Sequence, residues 1–218
     1  MNLLLNNRFF VIYLIPFLLG GISVLGFAPY NFTFLNFFSF SILLYLISLV
    51  KKKTKSKYVK KKSNRYFFYI GCAFGFGFFL FGNYWISISL THDEAFNNLI
   101  PFAILLIPLF LSLFFGFAIL ISSYFVENKF SFVLIFSLSF SMFEFLRGTI
   151  LTGFPWNLIS YTWSWSLETI QILSLIGTYS LGLLSITFFC SPFLLFNKIN
   201  KKKIIFISIL IFFYLGNY

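Results

Sequence analysis

Apolar residues in this chain do not alternate with polar ones; they come in long runs. Seven stretches, 9–27, 34–50, 66–90, 99–126, 130–146, 167–196 and 204–218, are nearly free of charge and are separated by short polar segments. A helix needs about 20 mostly apolar residues to cross a bilayer. Strands of a β-barrel would show alternating polarity, whereas these runs are apolar on every face. In hydrocarbon each peptide N–H and C=O needs an internal partner, and a helix supplies one within its own segment. The pattern therefore predicts an all-α, polytopic transmembrane bundle of about seven helices. Gly71, Gly75, Gly77 and Gly82 fall in the third run and would let a neighbouring helix approach closely. The first run follows Arg8 but has no small-x-small cleavage site and no lipobox cysteine near Gly26 or Ala28, so it reads as an uncleaved helix. The seventh would rise only about 22 Å, against a hydrocarbon core of about 30 Å. It stops without a charged flank, so the chain is expected to break off inside or just after that helix; a short terminal helix is the alternative.

Composition agrees with lipid as the solvent. Of 218 residues, 60% are hydrophobic, 10% are charged and 37 are Phe. A soluble domain keeps about a quarter of its residues charged. The net charge of +11 is unevenly placed: nine of the sixteen Lys and Arg residues lie between Lys51 and Arg65. With the N-terminus in the cytoplasm, Arg8, that cluster, Lys129, Lys198 and Lys201–Lys203 all fall inside, and only Arg147 falls outside. The positive-inside rule therefore predicts a cytoplasmic N-terminus. The basic loop reads as an anchor at an anionic lipid surface; no nucleic-acid module accompanies it, so nucleic acid is not an expected partner.

The polar residues that remain gather in a few places. Glu144 and Arg147 are three apart, share a helix face and could pair. Ionisable groups at that depth mark either function or a buried structural pair. Thr152-Gly-Phe154-Pro155-Trp156-Asn157 then breaks the helix, since Gly loosens the backbone and Pro removes a donor. Trp156, Tyr161, Trp163 and Trp165 follow closely. They fit an aromatic belt at headgroup depth, or more sharply a loop that holds a lipid. Asn83, with Trp85 beside it, sits in an apolar run, where an amide more often bonds a neighbouring helix than a ligand. His92-Asp93-Glu94 reads as a solvated loop, because no second ligand group has metal spacing, and no metal or other cofactor is expected. Cys72 and Cys190 lie apart in apolar runs and read as buried small hydrophobes. No GxSxG, phosphate loop or Cys–His arrangement supplies a nucleophile.

Three blocks together resemble the N-terminal membrane region of apolipoprotein N-acyltransferases. They are Leu25-Gly-Phe-Ala-Pro29-Tyr30; Gly75-Phe-Gly77 leading to Asn83-Tyr-Trp85-Ile-Ser-Ile; and Glu144-Phe-Leu-Arg147-Gly followed by Leu151-Thr-Gly-Phe-Pro-Trp156. The third block is the most specific, and their order covers nearly the whole chain. The resemblance implies a multi-pass protein of the bacterial inner membrane. Its reaction would move an acyl chain from a phospholipid, through a cysteine thioester, to the amine of a lipoprotein's diacylglyceryl cysteine. A Glu–Lys–Cys triad in a nitrilase-like domain would do that chemistry, and that domain is expected beyond the seventh run. No residue here is then assigned to the triad, and the chain alone is expected to be inactive. What carries over is the platform: Glu144, Arg147, Phe154, Pro155 and Trp156 as candidates for shaping a lipid site, and Asn83 with Trp85 as weaker ones. Phospholipid and lipoprotein would be partners of the longer form. A small transporter or channel using Glu144 and Arg147, or a non-catalytic scaffold, are the competing readings. Five of the seven runs carry no ionisable residue, which weighs against transport.

Overall fold

The computed structural model describes residues 7–54, 60–92, 94–150, 153–195 and 208. The seventh run, 204–218, therefore lies outside the described residues except for Ser208, as do Asp93 and Lys201–Lys203. Among the described residues every element is helical: α1 (Phe10–Val24), α2 (Leu35–Lys53), α3 (Lys60–Gly82), α4 (Trp85–Ser89), α5 (Ile100–Ser122), α6 (Lys129–Thr149), α7 (Leu167–Ile176) and α8 (Thr178–Leu195). Five stretches, Leu35–Lys53, Asn64–Gly82, Glu94–Phe125, Lys129–Thr149 and Thr178–Leu195, are long and apolar enough to cross a membrane. Phe10–Val24 is apolar but shorter, with its first turn wound as a π-helix.

Three of the expected runs end or divide differently. The run 66–90 stops at Gly82, turns at Asn83 and Tyr84, and restarts as α4, where Ser87 and Ser89 hydroxyls bond back to the carbonyls of Tyr84 and Ile86. The run 99–126 is α-helical only to Ser122 and closes with a 3₁₀ turn, Ser123–Phe125. The run 167–196 is two helices, because Gly177 sits at φ 78° and redirects the chain between α7 and α8. Hydropathy continues across that position, but the helical path does not.

The bundle has one basic end and one aromatic end. At the basic end Lys51, Lys52 and Lys53 occupy the last turn of α2, where they complement the helix dipole. Lys51 also reaches the Ser123 carbonyl at 3.4 Å, and Asn64 bonds the Tyr124 hydroxyl. Asn128 caps α6 there by accepting from the N–H groups of Phe130 and Ser131. Between the ends lies a core of stacked and edge-on phenylalanines. Phe40 of α2 is its hub, with ring centroids 5.6 Å from Phe74, 6.3 Å from Phe136, 5.6 Å from Phe140 and 6.1 Å from Phe189. In lipid the gain comes from packing rather than from escape from water. Each such ring pair contributes about 0.5–1.5 kcal/mol beyond area burial.

Small residues set the helix spacing. A Cβ added at Gly20 would stand 2.0 Å from the Phe74 carbonyl, and one at Gly77 would stand 2.0 Å from the Phe17 carbonyl, so α1 and α3 touch backbone to backbone. Gly71 meets the Phe115 carbonyl of α5 in the same way. Buried serines tie α8 to its neighbours: Ser41 of α2 donates to the Phe189 carbonyl, and Ser141 of α6 donates to the Tyr179 carbonyl.

Candidate functional site

At the aromatic end the chain leaves α6 and folds back over the bundle as residues 153–166. Two charged side chains on one face of α6 hold it there. Arg147 Nη1 donates to the carbonyls of Phe154 at 2.6 Å and Trp156 at 2.8 Å, and Glu144 Oε1 accepts from the Ile159 N–H at 3.0 Å. Both residues are buried, each about 1% exposed. Among the described residues no direct ion pair joins the two; each hydrogen-bonds to peptide groups of the returning segment while the two remain within electrostatic reach of one another. The Arg147 guanidinium also lies over the Phe79 ring of α3, 5.0 Å from its centroid, and the ring's negative face offsets the cation. Hydrogen bonds to ionised groups are stronger than neutral ones, and here they replace a solvent that hydrocarbon cannot supply.

Backbone geometry makes the return possible. Gly153 has φ 75° and Asn157 φ 53°, the left-handed region that glycine and asparagine tolerate best. Asn157 Nδ2 donates to Asn83 Oδ1 at 2.7 Å, so the amide in the third run does bond another element. Beside that bond the rings of Trp85 and Trp156 meet edge to face, 5.5 Å apart. Pro155 and Trp156 are exposed, while Phe154 is half-buried. Every candidate read from the sequence — Glu144, Arg147, Phe154, Pro155, Trp156, Asn83 and Trp85 — thus falls in one assembly.

The first block joins them. Residues 25–30 link α1 to α2, with Thr33 just beyond, and Thr33 locks this link to the returning segment: its hydroxyl donates to the Thr162 carbonyl at 2.7 Å and accepts from Trp165 Nε1 at 2.8 Å. Between this link, the outer faces of α1 and α3, and the turn into α4 opens a groove of about 660 Å³. Leu18 and Ile22 of α1, Leu25, Phe27 to Tyr30, Phe81, Tyr84, Trp85 and Asn157 line it. Its volume lies within the range of small-molecule sites, and its lining is apolar with one amide. Of those residues only the phenols of Tyr30 and Tyr84 are ionisable, and the lining has the shape and polarity that suit an apolar group.

The sequence reading missed several members. Thr33 and Trp165 were not connected, Asn157 was not singled out, and Leu18, Ile22 and Phe81 sit in featureless apolar runs. Only Asn157 carried a signal, as an amide directly after Pro-Trp. Cys72 and Cys190 are free thiols within α3 and α8, away from this groove. Among the described residues no group of three His, Cys, Asp or Glu side chains could hold a metal.

Comparison with known proteins bears on this arrangement. Residues 19–191 match the apolipoprotein N-acyltransferase N-terminal domain. A Rickettsia typhi protein named apolipoprotein N-acyltransferase is 38% identical over 197 residues, covering 89% of this chain and 37% of that protein. Proteins of the same name from Rickettsia prowazekii and Brucella melitensis are 39% and 33% identical, covering 85% and 84% of the chain. The chain spans about a third of the length of these curated relatives. The match embraces the α1–α2 link, the Asn83–Trp85 turn and the whole Glu144–Asn157 clamp, so this chain belongs to the apolipoprotein N-acyltransferase N-terminal domain family.

Proposed function

We propose that this chain is the membrane part of an apolipoprotein N-acyltransferase, and that its aromatic-end groove holds the acyl chain of a phospholipid donor on the outer face of the inner membrane. The observation that carries this reading is convergence. Three sequence blocks far apart in the chain meet around one apolar groove, at the end opposite Lys51–Lys53. By the positive-inside rule that end faces outward. In this reading the transferred acyl group passes to the N-terminal amine of a lipoprotein's diacylglyceryl cysteine. The chain's own residues bind and orient: Leu18, Ile22 and Phe81 contact the hydrocarbon, Trp85 and Trp156 stand at headgroup depth, and Arg147 with Glu144 fixes the rim.

Acyl transfer through a thioester needs an accessible thiolate. In this reading the thiol belongs to the part of the longer relatives that this chain does not span, and the chain alone does not acylate. The test uses cells depleted of their own acyltransferase. This chain alone is expected to leave lipoproteins without the N-acyl group. A chimera joining it to the remaining part of the Rickettsia typhi relative is expected to restore N-acylation, and Ala28→Trp, which fills the groove from an exposed position, is expected to abolish it. Acylation by the chain alone would overturn the membrane-part reading. An Ala28→Trp chimera as active as its parent would overturn the role of the groove.

A further inference from the structure

The aromatic-end groove stops partway along the bundle, and the side chains that end it are identifiable. Leu14, Leu18, Gly21 and Leu25 recur at helical spacing, so they lie along one stripe that runs up α1 and just past its end. That stripe borders two grooves in succession. Leu18, Gly21 and Leu25 line the outer one, with Phe81 of α3 beside them. Leu14 lines an inner one of about 380 Å³ with Phe17, Ala73 and Phe76, and α5 bounds it through Leu109 and Ser112. Both follow the seam between α1 and α3, whose floor is closed where Gly20 and Gly77 meet the facing backbone. Three rings bridge the seam where one groove gives way to the other. The Phe17 centroid lies 5.9 Å from that of Phe76 and 5.8 Å from that of Phe81. Gly21 makes room for the Phe81 ring: a Cβ added there would stand 2.8 and 2.9 Å from two of its carbons, and its three nearest neighbours would all be atoms of that ring.

We propose that Phe81, seated on Gly21 and backed by Phe17, is the inner stop of the acyl groove and decides how much of a donor chain the protein grips; this rests on the reading that the groove holds an acyl chain. From Leu18 to Leu25 the groove follows about 10 Å of helix. One leaflet of hydrocarbon is about 15 Å deep, half of the whole core. A chain in the groove is therefore gripped over its headgroup-proximal part, and its methyl end leaves the seam at Phe81 for the bilayer. Within lipid the grip comes from packing contacts rather than from escape from water. The free end adds nothing to it, so donors that differ only there are held alike. Removing the Phe81 ring joins the two grooves and lets the methyl end follow the stripe on toward Leu14 and Phe76.

The experiment mixes the full 218-residue chain, in maltoside micelles, with an equimolar phosphatidylethanolamine whose acyl chain carries a diazirine either beside the ester or at the methyl end. Labelled residues are mapped by mass spectrometry, and the exposed Leu105 and Leu106 of α5 report the background of casual lipid contact. In the native chain the ester-side probe is expected to label segment 21–30, and the methyl-end probe to label 73–76 no more than background. Phe81→Ala is expected to raise methyl-end labelling of 73–76 by about fivefold. Phe81→Ala/Gly21→Phe, which refills the gap from the other helix, is expected to return it to the native level, a recovery that general loosening would not give. Methyl-end labelling of 73–76 already above background in the native chain, or unchanged by Phe81→Ala, would overturn the stop while ester-side labelling left the groove reading standing. So would a monodisperse double variant that labels like Phe81→Ala. Absence of ester-side labelling from 21–30 would overturn the groove reading and the stop together.

Discussion

Arg147 and Glu144 show how a charged residue becomes tolerable inside a membrane protein. They make no direct ion pair, though each lies in the other's field; both hydrogen-bond to main-chain atoms of the returning segment. Removing the guanidinium deprives the Phe154 and Trp156 carbonyls of a charged donor in two part-buried bonds, and hydrogen bonds to charged groups contribute about 1.5–3 kcal/mol each. Arg147→Ala is therefore expected to destabilise the chain by about that amount per carbonyl, and Arg147→Lys by less, since an ammonium still reaches one of them. Unfolding in mixed micelles of rising denaturing-detergent fraction checks this. If Arg147→Met matched the native chain, the clamp would carry no stability. The positions of both residues were plain in the sequence, because ionisable side chains stand out in apolar runs. Their partners were not, because a carbonyl or an N–H belongs to every residue and no letter marks it.

Helices α1, α3 and α5 are held at backbone distance by glycines, and two glycines test the difference between space and conformation. At Gly20 a Cβ would collide with the Phe74 carbonyl at 2.0 Å, so α1 and α3 would have to separate. At Gly177 no atom lies within 4 Å, and a side chain would meet only the strain of φ 78°. Gly177→Ala is thus expected to cost about 1–3 kcal/mol, since φ 78° with ψ 165° is a region that residues with a Cβ rarely enter. Gly20→Ala should cost more, at or above the ~1–3 kcal/mol usual for an overfilled core. The same detergent titration ranks them, and the reverse order would refute close backbone packing as the reason for Gly20. Apolar runs foretold most of the helices because hydropathy integrates over many residues. The break at Gly177 escaped because a single backbone angle decides it, inside a run whose hydropathy does not change. Long-range ties such as Thr33 to Thr162, or Asn83 to Asn157, join residues 129 and 74 apart, and no local pattern encodes such a distance.

For the molecule as a whole, sorted charge and sorted aromatic rings describe the same axis. Lys51–Lys53 mark one end; Trp85, Trp156 and Trp165 mark the other. A membrane-impermeant thiol reagent applied to intact cells is expected to modify a cysteine placed at Leu175, which is 85% exposed at the aromatic end. A cysteine placed at Lys52 should react only after the membrane is opened. Modification of both from outside, or of Lys52→Cys alone, would invert or dissolve the proposed orientation, and the outward-facing groove with it.

One property of the clamp reaches beyond stability. The returning segment is fastened by three peptide groups, those of Phe154, Trp156 and Ile159, and by none of their side chains. Apart from proline at the donating position, almost any residue offers the same atoms. At Phe154 and Trp156, whose carbonyls rather than side chains are held, the rim is therefore free to be rewritten while Arg147 and Glu144 keep its course; Asn157 is not, because its side chain is itself bonded to Asn83. A scaffold of this kind lets substrate preference drift, or be engineered, without reopening the question of how the protein folds.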